Sequence, residues 1–217
     1  MITCYEGRQG SGKTACAVLD AVRECLRMGK KKGKVWNLYT NMESFNVRAI
    51  KEHFKSNLPI KVNYIDSFED LMFVVDGVVL LDEGHIWFFN RKWSGFPTEL
   101  LFFWSQARKR GLHVVYTVQD FDRMDIIVRQ LTDEVIRLSK FGSFSLKYVR
   151  DMSGKRDWHF RGFRYVKRAW GWYDHREILF PPEEAWDSQK SRTLYIEKMK
   201  EVLGQHGREV EREKKAI

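Results

Sequence analysis

Short apolar runs alternate along most of this chain with segments of helical periodicity. Runs rich in Val, Ile, Leu and aromatic residues at 2–6, 35–39, 60–65, 78–81, 113–118 and 134–138 predict strands. Between them, apolar residues spaced three and four apart predict helices over 13–28, 47–55, 67–74, 98–110 and 121–130. Pro97 stands just before the fourth of these, where a missing N–H costs little. Strand and helix in alternation predict an α/β fold, a mostly parallel sheet with helices on both faces. After about residue 140 the texture changes. Segments 142–149 and 159–165 alternate in the manner of strands around a turn signal at 151–155, which predicts a β-hairpin. Pro181 and Pro182 then break the chain, and 191–204 has the spacing of an amphipathic helix. The chain thus reads as a core over 1–140 and a basic, aromatic C-terminal region over 141–217, hairpin and terminal helix, packed on that core.

Composition narrows the class only slightly. A chain of 217 residues, 43% hydrophobic and 31% charged, suits one globular domain with a decorating region. The longest apolar run, 71–81, carries Asp76 in its middle and is about half the length of a membrane span. No basic segment leads into an apolar core at the N-terminus, so no signal peptide is expected. Cys4, Cys16 and Cys25 have no metal-ligand spacing and read as reduced core thiols. His159 and His175 likewise lack partners at metal spacing. The net charge of +9 fits a polyanionic partner, nucleic acid or an anionic membrane surface, and equally a set of solvated lysines.

The chemistry begins at residue 7. Gly7-Arg8-Gln9-Gly10-Ser11-Gly12-Lys13-Thr14 matches the phosphate-binding loop G-x-x-x-x-G-K-[ST], with a predicted strand before it and a helix after it. Gly7, Gln9, Gly10, Ser11, Gly12 and Ala15 are expected to cradle a phosphate chain with backbone N–H groups. Lys13 is expected to reach the β- and γ-phosphates, and Thr14 to hold Mg²⁺. The apolar run 78–81 ends in Asp82 and Glu83, which fit a metal-bound water and a general base for the attacking water, respectively. The run 113–118 ends in Gln119. In NTPases with an extra strand between the loop strand and the acidic strand, that position senses the γ-phosphate; the plain alternative is a strand-end glutamine. A neighbouring subunit's arginine is a further catalytic element of ring motors, and Arg108 is the favoured candidate, ahead of Arg110 and Arg129. The expected cofactors are ATP and Mg²⁺, and the expected fold is a three-layer P-loop NTPase of the RecA/ASCE-like kind.

Other features divide between function and packing. The run 30–34 carries Lys30, Lys31, Lys32 and Lys34 and reads as a solvated helix end or a nucleic-acid backbone contact. Cations and aromatic rings interleave through 156–165 and 167–173, a pattern that serves single-stranded nucleic acid or a packed β-subdomain equally well. Trp87, Phe88 and Phe89 suit a pore- or subunit-facing loop or the core.

Together these residues resemble the zonula occludens toxin-like family of filamentous-phage morphogenesis ATPases, within the FtsK–HerA-type P-loop ATPases. The resemblance covers roughly residues 2–140. It runs through the loop, Thr40-Asn41, the residues from Leu80 to Gly84, Trp87-Phe88-Phe89-Asn90-Arg91, Trp93, the residues from Trp104 to Lys109, and Val118-Gln119-Asp120. It implies an ATP-driven motor of virion morphogenesis working as a homo-oligomeric ring such as a hexamer. The implied partners are DNA and viral capsid or assembly proteins, in the host cytoplasm or associated with the virion. Filamentous-phage members continue into a membrane span, whereas residues beyond 140 here contain none. The expectation is therefore a relative whose membrane association is peripheral, through a partner. Packaging and extrusion both stay open, as does single- or double-stranded DNA. A nucleotide-binding switch or adaptor with little turnover is the alternative. A small-molecule kinase is disfavoured, since Asp-Glu followed by a strand-end Gln suits water activation.

Overall fold

The predicted alternation is present in the computed structural model, which describes residues 1–54, 60–88, 98–152 and 157–182, with Thr193 and Glu197 beyond them. The elements are β1 (Ile2–Glu6), α1 (Lys13–Lys32), β2 (Trp36–Thr40), α2 (Val47–Phe54), β3 (Ile60–Tyr64) and α3 (Phe68–Phe73). There follow β4 (Gly77–Leu81), α4 (Thr98–Gln106), β5 (Leu112–Val118), α5 (Ile126–Leu131), β6 (Glu134–Phe141), β7 (Phe144–Asp151) and β8 (His159–Tyr165). The strands form one sheet in the order β3-β2-β4-β5-β1-β6-β7-β8. Every pairing from β3 to β6 is parallel, and the β6–β7 and β7–β8 pairings are antiparallel. β5 lies between the loop strand β1 and the acidic strand β4, the inserted-strand arrangement expected from the sequence.

Side-chain alternation along the central strands builds the layers. Val78 and Leu80 of β4 point to the side of α1, where they meet Leu19, Val22 and Leu38. Val79 and Leu81 point to the opposite side, against Leu71, Phe103 and Trp104. All five residues of β4 are buried, as a parallel strand covered on both faces requires. Trp87 and Phe88 belong to this second cluster at 1% exposure each, which resolves their reading in favour of the core. Phe68 and Trp104 pack edge-on against them. The three cysteines are free and buried.

Several elements differ from expectation. α1 runs on to Lys32, where Gly33 takes a left-handed conformation (φ 63°) and returns its N–H to Gly29 O. Lys30, Lys31 and Lys32 fill the last turn, where the helix dipole favours cations. The fifth predicted helix is two pieces, a 3₁₀ turn over Phe121–Arg123 and α5. Two aspartates divide it: the Asp120 carboxylate accepts from Asp122 N–H, and the Asp125 carboxylate from Ile127 N–H. α4 ends at Gln106, and the chain turns through Gly111 (φ 69°) into β5. The predicted hairpin is β7 and β8, and it extends the main sheet. Apart from Thr193 and Glu197, the predicted helix over 191–204 lies outside the described residues, as do Phe89 through Trp93, Pro97 and Arg156.

Beyond its pairing with β6, the hairpin meets α1 at one carboxylate. Asp20 of α1 accepts Tyr5 Oη–H at 2.6 Å and Lys147 Nζ at 2.8 Å on one oxygen, and Arg164 Nη2 at 2.5 Å on the other. Burial pushes the Asp20 carboxyl up, but Lys147, Arg164 and the hydrogen bonds together hold it below its ordinary 3.8. The depressed value means that its stabilisation is complete above 3.8 and is lost as pH falls through the folded-state value. Asp20→Ala leaves the buried Lys147 and the partly buried Arg164 without this carboxylate and is expected to lower stability by roughly 2–4 kcal/mol, a fall of about 5–10 °C in Tm. Thermal unfolding at neutral pH checks this, and the difference from the parent protein shrinks in strong acid.

Candidate active site

The loop after β1 is held at both ends and from above. Gly7 N–H donates to Val118 O (3.2 Å), and Ser11 N–H donates back to Arg8 O (3.1 Å). Gly10 and Gly12 have φ of 75° and 86°, a region that side chains disfavour. A Cβ at Gly12 would also strike Ser145 Oγ and come within 2.9 Å of Val166 Cγ1. Ser145 of β7 is fully buried and donates its hydroxyl to Ser11 O at 2.6 Å. Sequence reasoning missed Ser145. Its only signal was a small polar residue at an inward position of an alternating strand.

The acids meet the loop at the head of α1. Thr14 Oγ1–H donates to Asp82 Oδ1 at 2.8 Å, and Thr117 Oγ1–H donates to the same oxygen at 2.6 Å. Glu83 N–H donates to Thr117 Oγ1 at 3.0 Å. The Asp82 peptide is held by the Asn41 side chain, whose Oδ1 accepts Asp82 N–H (2.9 Å) and whose Nδ2 donates to Asp82 O (3.0 Å). Burial raises the Asp82 carboxyl, against the pull of the two hydroxyls. Lys13 Nζ lies 2.8 Å from Glu83 Oε1. His85 Nδ1 approaches Glu83 Oε2 to 3.2 Å without hydrogen-bond geometry, and burial lowers the imidazole. Glu83 itself has φ 49°, a strained conformation for a residue with a side chain.

Two cavities flank the loop. Gly12, Lys13, Thr14 and Ala15 line one of about 540 Å³ together with Asp82 and Glu83. Gly7 and Ser11 line another of about 710 Å³, and Gln9 and Gly10 border both. Gln119 is exposed and lines the second cavity, away from the acids, because β5 ends at Val118 and the chain turns aside there. Thr117, two residues earlier, is the β5 side chain that reaches the acids. Arg108 is also exposed, and its charge is felt at the Met1 amino group, at the end of β1 opposite the loop. The structure therefore brings together Lys13, Thr14, Asp82 and Glu83, and leaves Gln119 and Arg108 outside. The hydroxyl of Thr14 and the carboxylate of Asp82 are hard oxygen donors, and this pair fits Mg²⁺, which takes few protein ligands and keeps its waters and phosphates. Among the described residues no group of three or more His, Cys, Asp or Glu side chains is placed to hold a metal.

Residues 1–156 match the family model described as zonular occludens toxin (Zot). The chain belongs to the Zot family. A curated relative, the Gene 1 protein of Enterobacteria phage I2-2, is 24% identical over 155 residues, which are 66% of this chain and 41% of that protein. The chain thus spans less than half the length of that relative. The N-terminal domain of zonular occludens toxin from Neisseria meningitidis has a similar structure, with a TM-score of 0.55 at 16% identity over 80% of this chain and 98% of that one. So has B204, the DNA-packaging ATPase from Sulfolobus turreted icosahedral virus, with a TM-score of 0.50 at 14% identity over 74% and 96%. These likenesses establish a mixed, mostly parallel P-loop NTPase fold for this Zot-family chain. The span matched to Zot holds the loop, both acids and Ser145, and ends before Val166. Among the described residues, no helix is long and apolar enough to cross a membrane.

Because the buried Asp82 carboxyl is raised, its charge destabilises the ligand-free fold at neutral pH. Asp82→Asn keeps an oxygen that can accept both threonine hydroxyls and removes that charge. It is expected to raise Tm by a few degrees without divalent cation, while any stabilisation by Mg²⁺ with nucleotide disappears. Thermal unfolding with and without MgATP reads both effects.

Proposed function

We propose that this Zot-family protein hydrolyses ATP to ADP and phosphate with Mg²⁺ and drives virion morphogenesis by moving DNA, in packaging or in particle assembly and extrusion. The observation that carries the reading is the convergence of Lys13, Thr14, Asp82 and Glu83 on one cavity. The loop's N–H groups and the start of α1 would bind the phosphates. Lys13 is drawn from Glu83 by the more highly charged triphosphate, which leaves the Glu83 carboxylate free to take a proton from water. His85 stands 3.2 Å from the other oxygen of Glu83 and limits where that carboxylate can swing. Thr14 and Asp82 would hold Mg²⁺, which supplies charge neutralisation on the phosphates when bound. The proposal includes a homo-oligomeric ring, capsid or assembly proteins as partners, and action in the host cytoplasm. The B204 proteins, whose names record DNA packaging and a complex with ATP-γ-S, support this reading by fold.

The second reading is a nucleotide-binding switch with little turnover. The placement of Gln119 outside the cavity favours it, because hydrolysis then lacks that side chain as a sensor beside the acids. Glu83→Gln separates the two. For the motor, steady-state ATP hydrolysis falls about 100-fold or more while MgATP binding persists, and DNA stimulates the parent protein. Equal, negligible turnover by both proteins, with tight binding, selects the switch.

A further inference from the structure

We propose that the turn spanning residues 166–179 is the nucleobase wall of the ATP site, with Trp170 as the stacking platform. The inference rests on the nucleotide reading above and extends it to a segment beyond the Zot-matched residues. The cavity of about 540 Å³ has a lining of two chemistries. Lys13, Thr14 and the acids line it, and so do Val166, Trp170, Tyr173 and Leu179. A nucleotide carries the same two chemistries, an anionic chain and a flat aromatic heterocycle, and the volume lies in the range of small-molecule sites.

The wall begins at the loop itself, since Val166 Cγ1 would lie 2.9 Å from a Cβ at Gly12. It is held along its length. Val166 N–H donates to Ser143 O (3.3 Å), and Trp172 O accepts Asn46 N–H (2.7 Å). Asp174 N–H donates to Ser44 Oγ (2.9 Å). Glu177 accepts Glu43 N–H on one oxygen and the Ser44 hydroxyl on the other, both at 2.5 Å. Trp172 is 3% exposed and packs on His53 and Phe54. Trp170, two residues away on the same anchored turn, is 58% exposed. Lys167 Nζ sits 5.6 Å from its ring centroid, so a cation and a ring border the cavity together. A large indole held on a fixed turn and left uncovered at the mouth of a phosphate site meets the requirements for base stacking.

The test is calorimetric titration of the full chain with MgATP and with magnesium tripolyphosphate, which has the phosphates and lacks the base. The parent protein is expected to bind MgATP more tightly than tripolyphosphate. Trp170→Ala is expected to weaken MgATP about tenfold and to leave tripolyphosphate within twofold, and Trp170→Phe to recover most of the loss. Unchanged MgATP affinity in Trp170→Ala overturns the proposal and points to another partner for that ring. An equal loss for both ligands overturns it too, since it marks support of the loop rather than base contact. If the parent protein binds tripolyphosphate as tightly as MgATP, the base wall fails and the phosphate site stands. If it binds neither, the nucleotide reading falls with it.

Discussion

A single carboxylate oxygen organises the phosphate end of this molecule. Asp82 Oδ1 receives one hydroxyl from the head of α1 and another from β5, and the Asp82 peptide is clasped by the side chain of Asn41, which follows β2. Three parallel strands and the principal helix are thereby aligned on one residue. Thr14 cannot turn away without taking one of two hydroxyls from a buried carboxylate oxygen. β5 cannot slip by one residue without replacing Thr117 with an inward-facing apolar side chain. The cost is visible in the same place. Asp82 is ionisable and buried, and Glu83 beside it is held at a left-handed φ that disfavours side chains by about 1–3 kcal/mol. Such local strain persists because the layers on both faces of β4 leave the chain no other path.

Much of this was legible in the sequence, and for definite reasons. The loop depends on residue types at fixed spacing, so Gly7 to Thr14 announced itself. The central strands are buried on both sides, so each is a continuous apolar run bounded by turn residues. The parts that escaped notice depend on register between distant segments. Thr117 reads as an ordinary β-branched strand residue until β5 is seen beside β4. Gln119 is the more conspicuous residue on paper, but β5 ends just before it and the chain leaves the sheet. Asn41 was quoted only as part of a family pattern, and its clasp on Asp82 arises from the β2–β4 pairing. Ser145 lies 134 positions from its partner Ser11, beyond the reach of any local pattern. The split at Asp125 was misread because apolar spacing continues across it while the capping aspartates, which interrupt it, resemble ordinary polar positions.

As sequence, the hairpin suits single-stranded nucleic acid and a packed β-subdomain equally well. It is continuous with the sheet, and its inward residues serve the loop and α1. Lys147 and Arg164 face Asp20, and Ser145 faces Ser11. Its outward residues Phe144, Phe160, Phe163 and Tyr165 remain exposed. Alternation with a period of two produced both sets from one stretch of sequence. This is why a count of cations and rings could not separate the two readings.

The position of β1 has a consequence for how the chain is made. It precedes the other strands of the sheet in the chain, yet its two neighbours are β5 and β6, residues 112–118 and 134–141. A nascent chain therefore carries an apolar strand and a glycine-rich loop that have no lateral hydrogen-bond partners until residues 112–141 have emerged. Long-range pairing of this kind is slow to form and leaves strand edges open meanwhile. The loop is complete as sequence long before Ser145 is, but it becomes a shaped site only when Ser145 arrives to close over it.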